Sequence, residues 1–165
     1  MYRKTFDGMN CSIARALEQV GEWWSLLIVR ECALGTTRFD EFQRRLGIAR
    51  NVLTARLNSL VENGVLEKVL AEGSERRNEY RLTKKGEALY PALIALMQWG
   101  DEWCGQEVPI RLVEHASGEP VEPVSLRVGE RILGLRDIRL EPGPDASEGT
   151  VGTLRIRNRV FLGTD

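Results

Sequence analysis

Five residues between positions 50 and 58 have side chains that suit contact with base edges in duplex DNA. They are Arg50, Asn51, Thr54, Ala55 and Asn58. Arginine can bind guanine through two hydrogen bonds, asparagine can do the same with adenine, and small side chains can contact the thymine methyl group. The segment ARNVLTARLNSLVENG places Leu53, Leu57 and Leu60 on the other side of the same helix. We therefore predict a recognition helix that buries its leucines and turns its polar side outward.

Three further arginines are candidates for phosphate contact. Arg38 begins the preceding short helix, where its charge and the helix N–H groups can bind one phosphate. Arg76 and Arg77 lie at the predicted hairpin tip GSERRN, where cations can neutralise phosphates or enter a minor groove. The window from residue 38 to 85 holds 11 Lys and Arg against 7 Asp and Glu, although the whole chain has a net charge of −1. Positive charge is therefore concentrated around the predicted recognition helix.

Catalysis and metal binding have little support. Catalysis needs a base beside a nucleophile, and the single histidine, His115, lies far along the chain from the patterned segments. The paired carboxylates at positions 40–41 and 101–102 fall on predicted helix surfaces, and no glycine-rich phosphate loop occurs. The three cysteines lack C-x-x-C spacing. We predict no enzyme activity, no cofactor and no metal.

Four helices are predicted before residue 63. The first covers CSIARALEQV, the second EWWSLLIVRECALG, the third RFDEFQRRLG, and the fourth is the recognition helix. A tight turn at Leu46-Gly47-Ile48 joins the last two, which is the layout of a helix-turn-helix. The second helix is predicted to bury one side, made of Trp23, Leu26, Leu27, Arg30 and Leu34.

A hairpin and a last helix complete the pattern. LEKVL and NEYRLT are strand-like and flank a Gly-Ser turn. Thr83 is predicted to cap the long apolar helix KKGEALYPALIALMQWGDEWC, with Pro91 bending or offsetting its first turn. This order predicts a mainly α (α+β) fold, a winged helix-turn-helix.

The composition changes beyond residue 105, where glycine and proline become frequent. Short alternating runs at SLRV, DIRLE and TLRIRNRV predict strands, and Arg155, Arg157 and Arg159 would form one solvated strand face. We therefore predict two domains. Residues 1–105 form the winged helix-turn-helix domain for DNA binding and dimerisation, and residues 106–165 form a small β-rich C-terminal extension.

The composition predicts a soluble globular protein. The chain has 165 residues, of which 42% are apolar and 28% are charged, enough for a real core. No stretch approaches the ~18 apolar residues of a membrane span, and MYRKTFDGMN lacks the apolar core of a signal peptide. We predict a cytoplasmic protein that does not contact membranes.

Several separated motifs resemble the HxlR-type family of winged-helix regulators. They are GEWWSLLIVRECALGTTRFDEFQRRLGIARNVLTARLNSLVENGVLEK, EYRLTKKGEAL and QWGDEW, in the order the family has them. The resemblance covers about residues 11–103 and implies a homodimer joined through its N- and C-terminal helices. Each recognition helix would contact half of an inverted repeat in double-stranded DNA, so the resemblance implies a transcription regulator, often a repressor.

The resemblance also implies positions for DNA contact. They are Arg38, Arg50, Asn51, Thr54, Arg76 and Arg77. The wing departs from the family, because SERRNEY stands where prolines and a valine are common, so we expect its contacts to differ. A winged helix that binds protein without binding DNA is the alternative, but such a module would lose its exposed cations.

Cys11 is the candidate redox sensor. It precedes the first helix, where N-terminal N–H groups and Arg15 favour a reactive thiolate. By resemblance, an N-terminal cysteine in some family members responds to electrophiles or oxidants. A lone cysteine is more often a small buried hydrophobe, so both interpretations stay open. Cys32 and Cys104 are expected to be packing residues.

Four tryptophans exceed what one small core can cover. They are Trp23, Trp24, Trp99 and Trp103. The surplus predicts a dimer interface, and the alternative is a cavity for a small aromatic or apolar effector between these helices. By resemblance, some family members hold a metal in a similar extension. Ser117, Ser125 and Val128 replace the cysteines here, which favours no metal.

Overall fold

The computed structural model describes residues 5–74, 77–105 and 107–163. The first helices are α1 (Ser12–Val20), α2 (Trp23–Ala33), α3 (Phe39–Leu46) and α4 (Arg50–Glu62), followed by strands β1 (Leu66–Leu70) and β2 (Asn78–Leu82). After them come α5 (Lys84–Glu87), α6 (Tyr90–Trp103), β3 (Arg127–Val128), β4 (Arg131–Ile132) and α7 (Glu148–Leu162). The predicted order up to residue 103 is confirmed, except that the last helix is divided in two.

The core lies between α2, α3, α4 and the first hairpin. Its largest fully buried side chains are Phe42, Ile28, Leu53, Leu57, Leu60, Leu66, Val29 and Val65. Phe42 of α3 meets Tyr80 of β2 edge to face, with the ring centroids 6.4 Å apart. This contact joins the helix-turn-helix to the hairpin through apolar packing.

The turn between α3 and α4 depends on one glycine. Gly47 ends α3 with φ +63°, in the left-handed region that glycine adopts without steric cost. Ile48 then enters the core with 3% of its surface exposed, and α4 begins two residues later. The predicted helix-turn-helix is confirmed.

The first hairpin is fixed beside the start of α3. β1 and β2 are antiparallel, with Leu66 opposite Leu82 and Leu70 opposite Asn78. The backbone N–H of Tyr80 also donates to the Thr37 carbonyl at 2.8 Å. This hydrogen bond connects the wing to the residues that lead into α3.

The predicted last helix is broken between α5 and α6. Thr83 caps α5 as predicted, because its hydroxyl accepts from the Gly86 N–H at 3.2 Å. α6 begins afresh at Tyr90 with Pro91 in its first turn, where proline costs no helical hydrogen bond. Proline therefore offsets the helix, as predicted, by dividing it.

The predicted buried side of α2 is wrong for most of its residues, although Leu26 packs against the core. Ser25, Ile28 and Val29 face the core, whereas Trp23 is 83% exposed and Leu34 is 52% exposed. The helix is apolar on more than one side, so periodicity alone does not select the side that packs. The predicted side leaves apolar surface uncovered in the single chain.

The predicted strand at TLRIRNRV is also wrong, because residues 148–162 form helix α7. The remaining strands of this segment are short: β3 pairs with β4, and an isolated bridge joins Val113 to Pro120. SLRV contains β3, whereas no strand forms at DIRLE. Ser147 caps α7 by accepting from the Thr150 N–H at 3.2 Å.

The arginines of α7 do not share one face. Arg157 donates to the carbonyl oxygens of Leu135 and Ile138. Asn158, only 8% exposed, accepts from Leu140 N–H at 3.2 Å and donates to its carbonyl at 2.8 Å. α7 thereby holds the segment 135–140, and its other arginines remain exposed.

Side-chain amides attach this C-terminal segment to the rest of the chain. The Asn10 side-chain oxygen accepts from the Ser147 N–H at 3.1 Å and from the Thr150 hydroxyl at 2.7 Å. Gln98 of α6 accepts from the Val124 N–H at 2.9 Å. The extension is therefore held against both ends of the winged-helix region.

Candidate nucleic-acid interface

The polar side of α4 faces outward, as the leucine spacing predicts. The exposed residues include Arg50, Asn51, Thr54, Ala55 and Asn58. Leu53, Leu57 and Leu60 have no exposed surface. Because the five exposed residues lie within the first three turns of α4, the end that a recognition helix presents to a major groove is open.

Arg50 lies over an aromatic ring. Its guanidinium carbon is 5.2 Å from the centroid of the Phe39 ring, within the range of a cation–π contact. The contact orients a long side chain that would otherwise sample many rotamers. Ala49, the residue before the helix, provides no side-chain cap, so the first N–H groups of α4 have no side-chain acceptor there.

The Thr54 side chain is positioned by its own helix. Its hydroxyl donates to the Arg50 carbonyl at 2.8 Å. The hydroxyl proton is therefore used within the helix, which leaves the lone pairs and the methyl group for outside contact. A thymine methyl group suits such a surface.

Arg38 is bound by a neighbouring carboxylate. Its Nε and one terminal nitrogen each lie 3.1 Å from an oxygen of Asp40, in a bidentate arrangement. The hydrogen bond from Arg38 lowers the pKa of Asp40. A phosphate would have to replace Asp40 to gain both of these hydrogen bonds, which distinguishes Arg38 from Arg50.

One of the two predicted wing arginines is described. Arg77 is exposed, its N–H donates to the Ser74 hydroxyl at 3.0 Å, and its carbonyl accepts from Ala71 N–H at 2.8 Å. Arg76 lies outside the described residues. These two hydrogen bonds fix the backbone at the base of the wing tip.

α3, α4 and the wing enclose a shallow cleft of about 400 Å³. Its lining residues are Arg38, Phe39, Asp40, Arg50, Ala71, Glu72, Arg77, Asn78 and Glu79. Asp40 is paired with Arg38, and Glu79 lies 2.9 Å from Arg81. Three arginines that are distant in sequence therefore converge here, with their neighbouring carboxylates largely compensated.

Arg56 is not one of the residues on the exposed side of α4. It is half-buried on α4, and one terminal nitrogen lies 3.5 Å from a carboxylate oxygen of Glu22 at the start of α2. The Arg56 Nε is buried without a hydrogen-bond partner in the described structure. Arg56 therefore ties the recognition helix to α2.

A buried carboxylate on α2 was missed by the sequence reasoning. Glu31 is 2% exposed and accepts from Arg30 at 2.5 Å, from Arg45 of α3 at 2.6 Å and from the Thr36 hydroxyl at 3.2 Å. Burial by itself would raise the pKa of Glu31, but the hydrogen bonds from the two arginines outweigh it and lower the pKa. The one available signal was a carboxylate inside the apolar run LLIVRECAL.

The three cysteines have different surroundings. Cys11 is half-buried at the residue before α1, and the Arg15 guanidinium donates to Ser12 at 2.8 Å. Cys32 packs against the core, where burial raises the pKa of its thiol to about 12 and the nearby Glu31 carboxylate adds to the effect. Cys32 is a packing residue, as predicted. Cys104 is exposed, so its predicted packing role is wrong for the single chain.

Two other kinds of site find no support in the described part of the chain. No group of three His, Cys, Asp or Glu side chains there is arranged to hold a metal ion. No described helix combines the length and the apolar character that a membrane crossing requires. In the extension, the Ser117 hydroxyl donates to Glu114 and the Ser125 hydroxyl accepts from Arg127.

The fold is that of a winged helix-turn-helix protein. It combines a short helix, a left-handed glycine turn, a second helix whose polar side faces outward, and a wing of two paired strands. The chain belongs to the HxlR-like helix-turn-helix family, which it matches over residues 19–108. The resemblance seen in the sequence motifs is thereby confirmed.

Similar proteins agree with this assignment. An uncharacterised HTH-type transcriptional regulator of Mycobacterium tuberculosis is 44% identical over 137 residues, covering 81% of this chain and 86% of that protein. The crystal structure of PA1607, described as a candidate transcription factor, is 45% identical with a TM-score of 0.77. It covers 85% of this chain and 100% of that one, so the similarity extends into the C-terminal segment.

A more distant structure is a redox regulator. The reduced form of the redox regulator HypR is 26% identical with a TM-score of 0.51, and it covers 55% of this chain. This likeness is confined to little more than half of the chain. Together, the family match and these similar proteins show that the chain is a transcription regulator with a helix-turn-helix domain.

Proposed function

We propose that the protein is a homodimeric transcription repressor that binds an inverted repeat in double-stranded DNA through α4 and the wing. One observation carries the proposal: Arg50, Asn51 and Thr54 are exposed at the start of α4, while the leucines of the same helix are fully buried. Base contacts from Arg50, Asn51 and Thr54 provide specificity, and Arg38 and Arg77 provide phosphate contacts that set the position of α4. Repression is the direction that the HxlR resemblance favours.

The dimer follows from apolar surface that the single chain leaves uncovered. None of the 14 residues of α6 is fully buried. Trp99 is 56% exposed, Trp103 68% and, on α1, Ile13 70%. Large apolar side chains exposed in a single chain often mark a protein–protein interface. We assign DNA binding and dimerisation to residues 1–105, and an accessory role to residues 106–165.

Regulation by a thiol or by a small apolar effector is part of the proposal. Cys11 lies half-buried at the start of α1, beside the surface assigned to the dimer. A modification there would alter the spacing of the two recognition helices. If Cys11→Ser leaves oxidant-induced release from DNA intact, the thiol has no part in regulation.

A gel-shift titration across salt concentrations tests DNA binding. Phosphate-driven binding should weaken with salt, with a log–log slope of about −0.9 for each neutralised phosphate. Arg77→Ala should reduce the magnitude of that slope by about one contact. Arg131→Ala, which removes an exposed arginine of β4, is the matched control and should leave the slope unchanged. Failure of the wild-type protein to bind any duplex would favour a module for protein contact.

A further inference from the structure

A second cleft, of about 330 Å³, lies between α2, α6 and the first part of the extension. Its walls include Leu27 of α2, Leu34 directly after α2, Leu93 and Met97 of α6, and Ile110. The segment that contains Ile110 follows α6 and closes one side, so the cleft is concave. Its size lies near the lower end of the roughly 300–1,000 Å³ that small-molecule sites have.

One cation lines this apolar cleft. Arg30 of α2 is among the lining residues, and its side chain is 47% exposed. One terminal nitrogen is bound to Glu31 at 2.5 Å, and no other hydrogen bond from this guanidinium occurs within the described residues. Because a guanidinium has five N–H donors, Arg30 retains donors for a second carboxylate.

We propose that this cleft binds a small apolar carboxylate, such as a straight-chain acid of about eight carbons. The hydrocarbon part would cover the leucine and methionine side chains, and the carboxylate would bind Arg30. A neutral apolar molecule would leave the cation unused. The concave shape, with the segment at Ile110 as a third wall, and the cation beside apolar side chains favour a small acid over a second copy of the chain.

The consequence for regulation rests on the proposed DNA-binding function. Arg30 is one of two arginines that neutralise Glu31, and the other, Arg45, belongs to α3. A ligand carboxylate bound to the remaining donors of Arg30 would share this cation with Glu31 and bring a second negative charge close to it. Since Glu31 is buried, weaker pairing with Arg30 would weaken the contact between α2 and the helix-turn-helix. Ligand binding should therefore lower DNA affinity, by at least about fivefold if the coupling is of ordinary size.

Calorimetric titration of the full chain with octanoate, and with 1-octanol as the neutral match, tests the site. Octanoate should bind and 1-octanol should bind more weakly, because only the acid can pair with Arg30. Arg30→Gln should weaken octanoate binding about tenfold, and Arg44→Gln, the same change on exposed α3, should not. Ala33→Trp should abolish binding by filling the cleft, because Ala33 lines it yet is exposed. Ala88→Trp is its control outside the cleft.

Three results would overturn the assignment. They are no octanoate binding, equal binding of acid and alcohol, or full binding by Ala33→Trp. Because Ala33 does not contact Glu31 through any described hydrogen bond, that variant stays informative even if Arg30→Gln fails to fold.

Gel shifts with saturating octanoate test the coupling. Octanoate binding without any change in DNA affinity would contradict regulation through Arg30 while leaving the DNA-binding function intact. Octanoate binding by a protein that binds no DNA would instead contradict the proposed function and leave the cleft assignment standing.

Discussion

Single residues decide how firmly the DNA-binding unit is held. Glu31 collects hydrogen bonds from α2 and α3, and Arg56 reaches from α4 to the start of α2. The leucine spacing of α4 was sufficient to predict which side faces outward. Pairings such as Arg45 with Glu31 join residues 14 positions apart, and helical periodicity contains no information about partners on another element. The sequence therefore predicted which residues of α4 are exposed and did not predict the ion pairs behind them.

Glu31→Gln should cost about 1–3 kcal/mol of unfolding free energy near pH 7, because it leaves two arginines less well paired. The folded-state pKa of Glu31 is lowered, so its contribution is complete above the unfolded value of about 4.3 and is lost as pH falls through the folded value. In urea denaturation, the unfolding free energies of the two proteins should converge as the pH falls below about 4. Glu62→Gln, an exposed change on α4, is the control. A difference that persists in strong acid would refute the ionic account.

At the scale of elements, the sequence predicted where helices end better than it predicted which side of a helix is buried. Thr83 and Gly47 lie at the predicted cap and turn because their local geometry depends on neighbouring residues alone. The face of α2 was predicted wrongly because two sides are apolar, and tertiary packing selects between them. In α7, alternation of apolar residues with arginine resembles a strand, but the Ser147 cap and the Asn158 contacts stabilise a helix.

Gly86→Ala should destabilise the protein by more than about 2 kcal/mol, because a Cβ there would overlap the Val65 carbonyl oxygen. Gly47→Ala provides the comparison: no atom crowds that position, and only the positive φ penalises alanine, by about 1–2 kcal/mol. Thermal denaturation of both variants measures the difference. Equal losses would mean that the close approach of α5 to Val65, the residue before β1, is relaxed in solution.

At the scale of the whole molecule, the proposed dimer must hold two recognition helices at a fixed spacing, and the uncovered surface of α1 and α6 is its proposed interface. Trp103→Glu should weaken self-association by at least about tenfold, because the indole is 68% exposed in the single chain and a charge would enter the interface. Sedimentation velocity across protein concentrations measures this. Leu70→Glu places a charge on the wing, at 61% exposure, as the control. If Trp103→Glu forms dimers as stable as those of the wild-type protein, the interface lies elsewhere.

Selection of bound duplexes from a randomised DNA library, followed by sequencing, tests the outward face of α4 most directly. The wild-type protein should enrich an inverted repeat with half-site centres about one helical turn apart. Arg50→Ala and Asn51→Ala should each lose preference at particular base pairs, by roughly 1–3 kcal/mol for each lost contact. Enrichment of the same sequences with the same preference by both variants would show that the start of α4 does not contact the bases.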